Sequence, residues 1–355
     1  MFLAWRDLRF AKGRFMLMGA VVVLITVLVG LVSGLTAGLA RQSTSAITAL
    51  PADHLAFAAP ADGEGVAFTA SSVEEPTWRA WAAQPGVSRA EPLAITTTRA
   101  QAGKATASVS SFGVLPGSGL APAEVTAGTV VLSTAAAEDL DAAAGDTITL
   151  AGTDLTVAAV AGDDSFSHTP VVWAALDDVQ QPGHGGTPVA TVVALTTTGT
   201  AGLATADAEL GTETVSREDA LSAIGSYTSE NGSLQLMRGF LFAISALVIG
   251  AFFTVWTIQR SGDVAVLKAL GASTRYLLGD ALGQAAVLLA LGTGLGTAIV
   301  AGIGLAIGGA VPFVLSATTT LLPALVLIAL GVLGAGLAVR RITSVDPLTA
   351  LGSAR

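Results

Sequence analysis

Residues 15–40, FMLMGAVVVLITVLVGLVSGLTAGLA, run without a single charged side chain. A bilayer's hydrocarbon core, about 30 Å thick, takes roughly 20 apolar residues as a helix. A single spanning segment must satisfy its own backbone there, which a helix does. Three more stretches reach that length: LQLMRGFLFAISALVIGAFFTVWTI (234–258), AAVLLALGTGLGTAIVAGIGLAIGGA (285–310) and LLPALVLIALGVLGAGLAV (321–339). Residues 41–233, between the first run and the second, have ordinary polar composition. The chain therefore reads as a membrane protein with one span, a large α+β domain outside the bilayer, then three spans. The charged fraction of 12% agrees, at about half that of a soluble domain.

Charge sets the expected orientation. Arg6, Arg9, Lys12, Arg14, Arg260, Lys268, Arg275, Arg340, Arg341 and Arg355 fall on one side, with four carboxylates. The other side holds seven cations and 22 carboxylates. Lys and Arg concentrate on the cytoplasmic side. Both termini and the 259–277 linker are therefore expected there, in the plasma membrane, with 41–233 extracytoplasmic. A cleaved leader is an alternative reading of the first span, but its apolar run exceeds the usual leader core. Cleavage would also leave this orientation unchanged. The expected division is a cytoplasmic amphipathic helix 1–14, spans 15–40, 234–258, 278–310 and 321–339, a short outer loop 311–320 and a cytoplasmic tail 340–355. Gly30, Gly34 and Gly38 form overlapping GxxxG steps that suit close helix packing or a dimer.

QRSGDVAVLKALGAS, residues 259–273, is a short charged helix between two spans. Ser261 suits its N-cap, Asp263 its first turn and Gly271 its left-handed stop, with Ser273 capping the next helix. Val264, Leu267 and Leu270 form an apolar side fit for a membrane surface or a partner groove.

This segment resembles R-x-x-E-I-x-x-L-[RK]-A-[LI]-G-A-[ST] of the FtsX/MacB-type ABC permeases, with Asp263 where that family usually has Glu. AWRDLRFAKGR (4–14) is similar to the family's lead-in before the first span. RRITSVDPLTAL (340–351) is similar to its tail. The resemblance implies that Arg260, Asp263, Val264, Leu267, Lys268, Leu270 and Gly271 dock on a separate cytoplasmic ATPase. It implies a homodimer with two ATPase subunits, which supply ATP and Mg. No G-x-x-x-x-G-K-[ST] occurs, so the chain lacks the usual phosphate loop and is not expected to be an enzyme itself. No nucleic-acid partner is expected.

In the outer domain, 93–100, 104–115 and 187–199 read as strands. Residues 145–162 read as a hairpin turning at Ala151–Asp154, while 133–145 and 216–224 read as helices capped by Ser133 and Ser216. Asp163, Asp164 and His168 fall short of any metal-site spacing, and His54 and His184 carry no motif. SYTSENGSLQLMRGF (226–240) enters the second span, and a carboxylate near a membrane is a functional candidate. Glu230, doubled by a dimer axis, can ligate ferric iron, with Tyr227 as a second oxygen donor. Met237, Phe240 and the glycine face of the first span can shape an apolar slot, and Arg238 or Arg41 can pair with propionates. Four spans with a modest outer domain resemble the haem-exporter permeases of Gram-positive bacteria (HrtB-like). That resemblance implies haem as cargo and no permanently bound cofactor. Export of peptides, antibiotics or lipids is the alternative. Another is an FtsX-like mechanotransmitter acting on a cell-wall hydrolase.

Overall fold

The computed structural model describes residues 12–179, 189–200, 202–259, 262, 266–268, 270–307 and 311–343. In chain order the elements are α1 (Lys12–Thr48), β1 (His54–Ala58), β2 (Val73–Glu74), α2 (Glu75–Ala82), β3 (Val87–Ala102), β4 (Ala105–Val114) and β5 (Thr129–Leu132). They continue with α3 (Thr134–Leu140), β6 (Thr147–Leu150), β7 (Thr153–Val160), β8 (Ser165–Phe166), β9 (Thr169–Ala175), α4 (Leu176–Val179), β10 (Val189–Ala190), β11 (Val192–Thr197), α5 (Leu203–Leu210) and β12 (Thr212–Ser216). The long helices α6 (Gly225–Gln259), α7 (Thr274–Ala306) and α8 (Ala317–Thr343) follow among the described residues. It divides into an outer unit, Leu39–Gly232, and a membrane unit, 1–38 with 233–355.

The outer unit is built on β3, sixteen residues long. Its first part, Val87 to Leu93, pairs with β11, the rest, Leu93 to Ala102, with β4, and its last residues also with β6 (Ala100 opposite Leu150). The order β3-β4-β9-β5-β7-β6 therefore returns to β3 and closes a six-stranded ring, while β11, β1 and β12 extend the sheet from the first half of β3. Closure removes free strand edges from that part of the sheet. The strands β9 (TPVVWAA) and β5 (TVVL) are buried on both faces, so they read as continuous apolar runs rather than alternating ones. Val172 and Ala174 join Val109, Val130, Leu132, Ile148, Leu150, Leu155 and Val157 in one core, with Leu140 of α3. Val171, Trp173 and Ala175, on the opposite face of β9, join the other core.

That second core holds a chain of edge-on rings: Phe57–Phe68, Phe68–Phe166, Phe166–Phe112 and Phe112–Trp173, at centroid distances of 4.9–5.6 Å. Such pairs add to the area they bury. Ile47 in the last turn of α1 and Leu50 just after it are both fully buried there, and Tyr227 at the start of α6 packs against the same cluster. The helix ends are thus fixed by the same core that fixes Phe166.

Three local expectations change. The β6–β7 turn takes only Ala151 and Gly152, both at positive φ (52° and 89°), and the strand resumes at Thr153. Residues 216–224 form a 3-10 turn (Asp219–Ala223) rather than an α-helix, although Ser216 Oγ still accepts from Asp219 N at 3.0 Å. The helix at 133 has its expected cap, Ser133 Oγ on Ala136 N, but ends at Leu140, with Asp141 left-handed after it.

In the membrane unit, α1, α6, α7 and α8 are all long and apolar enough to cross a bilayer. Glycines bring α1 and α7 together. A Cβ on Gly292 would meet Val22 at 2.7 Å, one on Gly296 would meet Thr26 at 2.6 Å, and one on Gly30 would meet Val300 at 2.7 Å. Further along, Gly34 and Gly304 clasp the Phe313 ring, and Gly38 lies against the Pro312 carbonyl. The Val314 N–H donates to the Gly34 carbonyl at 3.1 Å. Gly30, Gly34 and Gly38, whose spacing suits close helix packing, do pack closely. This face is filled by Val300, Pro312 and Phe313 of the same chain, because missing side chains let backbone and ring approach where Cβ atoms would collide.

Candidate functional site

Three pieces of the outer unit converge beside the aromatic core: the end of α1, the β8–β9 hairpin, and the first turns of α6. The hairpin pairs Ser165 with Pro170 and Phe166 with Thr169, leaving Ser167 and His168 as a two-residue turn. Both have positive φ, 50° and 64°. A two-residue hairpin of this hand is normally made from Asn-Gly or Gly-Gly. Non-glycine residues in that region cost about 1–2 kcal/mol each. Phe166 anchors the base of the turn in the core.

The tip contacts both helices. Ser167 N donates to the Ser43 carbonyl at 3.1 Å and His168 N to the Gln42 carbonyl at 3.2 Å. Ser45 Oγ accepts from Ser165 N at 2.8 Å. On the α6 side, Ser167 Oγ and Ser226 Oγ lie 2.8 Å apart, and His168 Nε2 lies 2.8 Å from Glu230 Oε2. The same Nε2 is 2.9 Å from Ser43 Oγ.

Both contacts fall on one ring nitrogen, and a serine nucleophile activated by His and Glu would need both nitrogens. The cluster therefore joins elements and is not a hydrolytic triad. His168 donates to the carboxylate, and Ser43 shares the same position. Arg41 pairs with Asp163 at 3.2 Å, both side chains mostly exposed. Burial pushes the Asp164 carboxyl above the usual range; neighbouring Asp163 adds to the push and Arg41 opposes it.

Of the residues expected to hold cargo, Tyr227, Glu230 and Arg41 fall in the outer unit, and Met237, Arg238 and Phe240 in the membrane unit. Glu230 is 46% exposed, Tyr227 is half-buried against the core, and Met237 and Phe240 are exposed on α6. Sequence reasoning gave His168 no role. Its link to Glu230 spans 62 residues, and no local motif signals it. No cluster of three or more His, Cys, Asp or Glu fit for a metal ion occurs among the described residues.

In the 259–277 linker, Arg260, Asp263 and Val264 lie outside the described residues. The stop is described. Gly271 has φ 95°, its N–H donates to the Lys268 carbonyl at 3.1 Å, and Ala272 N donates to the Leu267 carbonyl at 2.9 Å. These two bonds define a Schellman stop, with glycine where only a left-handed backbone fits. Ser273 Oγ then caps α7 by accepting from Tyr276 N at 3.3 Å. Leu270, beside the stop, is largely exposed.

The chain matches the MacB-like periplasmic core domain over residues 15–213 and the FtsX-like permease C-terminal domain over 236–347. Among relatives, it is 29% identical over 142 residues to a protein of Staphylococcus epidermidis called "Putative hemin transport system permease protein HrtB". It is 34% identical over 142 residues to the protein of that name in Staphylococcus haemolyticus. These matches cover 40% of this chain and only 40–41% of either relative. An uncharacterized ABC transporter permease of Mycobacterium tuberculosis is 25% identical over 370 residues, 99% of each chain. Among solved structures, the periplasmic region of MacB from Actinobacillus actinomycetemcomitans aligns with 12% identity and a TM-score of 0.38, covering 50% of this chain and 95% of that one. The extracellular domain of the transporter YknZ aligns with 16% identity and a TM-score of 0.35, covering 46% and 98%. With both halves of the sequence matched, four membrane-length helices and the large domain between the first and second, the chain belongs to the FtsX/MacB-type ABC transporter permeases, multi-pass membrane proteins with a large extracytoplasmic domain.

Proposed function

We propose that this chain is the permease subunit of an ATP-driven efflux pump and that its cargo is haem taken from the outer leaflet. Energy comes from a separate ATPase, two copies of which serve a homodimer of this chain. The concentration of Lys and Arg supports a cytoplasmic side for both termini and the 259–277 linker. There the linker helix, stopped sharply at Gly271 and presenting Leu270, suits a mechanical contact with the ATPase.

The cargo reading is carried by one observation: Glu230 is a half-exposed carboxylate near the start of a membrane-length helix. Carboxylate oxygen is a suitable donor for ferric iron. Tyr227 lies one turn earlier on α6, and Met237 and Phe240 follow as exposed apolar side chains on the same helix. The staphylococcal relatives named for hemin transport support the same cargo.

The test is a hemin titration of the purified permease with its ATPase, following the Soret band, in wild type and Glu230→Ala. The expected result is saturable binding in wild type, with the band shifted or lost in the variant. Saturable binding unchanged in Glu230→Ala moves the ligand elsewhere, with Tyr227 next to be replaced. No saturable binding in wild type removes haem as cargo and leaves the permease assignment intact.

A further inference from the structure

We infer that the Ser167–His168 turn is a latch between the end of α1 and the start of α6, and that it opens on the α6 side during the transport cycle. The two sides of the turn are held differently. Toward α1 the bonds are mostly main-chain: Ser167 N on the Ser43 carbonyl, His168 N on the Gln42 carbonyl, and Ser165 N on Ser45 Oγ. Phe166 fixes the same side by burial in the aromatic core. Toward α6 the tip reaches out with side chains, Ser167 to Ser226 and His168 to Glu230. Glu230 is nearly half exposed, so water can replace its partner readily. The hairpin therefore stays with α1, while release on the α6 side gives up these two contacts and the packing of the partly buried Tyr227.

The turn chemistry points the same way. Glycine would relieve the positive φ of both tip residues, yet the positions hold the two side chains that reach α6. Strain of this kind, where a local rule is broken, marks a functional segment. Arg41, Asp163 and Asp164 complete the charged surroundings, and Arg41 is engaged by Asp163. While the latch is closed His168 occupies the Glu230 carboxylate. This last point rests on the haem reading: His168 is then a positioning residue that cargo displaces.

The chain contains no cysteine, so a Ser167→Cys/Ser226→Cys pair introduces the only thiols. The two hydroxyl oxygens are 2.8 Å apart, within reach of a disulfide. ATP turnover of the permease–ATPase complex in lipid nanodiscs is measured with the pair oxidised and reduced. The expected outcome is a fall of about fivefold or more on oxidation, reversed by reductant, with each single cysteine variant unaffected. A fully cross-linked pair that turns over at the reduced rate overturns the latch.

The second variant is His168→Gly, which suits the positive φ and keeps the turn folded. It should bind hemin more tightly than wild type, and His168→Gln, which retains a donor, should restore the wild-type affinity. Hemin affinity unchanged in His168→Gly overturns the hold of His168 on Glu230. Absence of hemin binding in wild type removes the cargo reading alone, because the turnover measurement needs no cargo.

Discussion

The outer unit and the membrane unit solve packing in opposite ways. The outer unit is filled by large side chains: Trp81, Trp173, Phe57 and Phe112 are among its most buried residues, and a chain of five rings runs through one core. Water drives that burial. In the membrane unit, α1 and α7 meet through Gly30, Gly292 and Gly296, and Phe313 is the large side chain clasped between Gly34 and Gly304. Lipid is as apolar as leucine, so burying leucine there gains little, and close backbone approach supplies the attraction. Removing atoms should therefore damage the outer unit most, and adding atoms the membrane unit.

The largest expected effect is from Phe112→Ala, which opens a cavity between Phe166 and Trp173 at a fully buried position. It should cost the outer unit about 3–5 kcal/mol. Denaturant unfolding followed by tryptophan fluorescence reads it, since Trp173 borders the cavity. A loss below 1 kcal/mol would mean that the ring chain does not carry the core.

Next is Gly38→Ala, whose new methyl meets the Pro312 carbonyl. Overpacking of this kind costs about 1–3 kcal/mol. Gly279→Ala, with nothing within 4 Å of its Cβ, is the matched control and should stay within about 0.5 kcal/mol of wild type. Thermal stability in detergent compares the two. Equal behaviour would break the contrast between the units.

The smallest effect is from Asp164→Asn. Burial raises the folded pKa of Asp164, so the native chain holds its proton more tightly than the unfolded chain. The resulting penalty grows as pH rises above the unfolded carboxylate range, near 4, and is complete above the folded value. Asp164→Asn should therefore stabilise the chain at pH 7, by under about 1 kcal/mol. The advantage should shrink as pH falls toward 4. Thermal melts at pH 7 and pH 4.5 test the sign, and a gain that grows on acidification would contradict it.

Much of this was legible because it is local. Membrane length, the Ser133 cap, the Gly271 stop and the Ser273 cap each depend on a few consecutive residues, and each has its counterpart in the structure. The strand β9 was missed because burial on both faces removes the alternation that marks a strand. Residues 216–224 read as an α-helix, but β12 runs through Ser216 and leaves room only for a 3-10 turn.

The candidate site divides along the same line. Glu230 was conspicuous because a carboxylate beside a membrane span is costly and rare. His168 was not, because its significance lies in a contact 62 residues away, made by a turn whose hand no propensity favours. The glycines of α1 show the same limit. Their spacing announced close packing, but a period of four cannot say which helix approaches. By itself the sequence determined the spans, the placement of a domain between them, the helix stops and the family motif, because chain connectivity, hydropathy and capping act over short distances. Only the tertiary structure decided that β3 closes a ring, that Phe313 fills the glycine face and that His168 holds Glu230. Those are pairings between distant segments, chosen by which surfaces fit once the chain has folded.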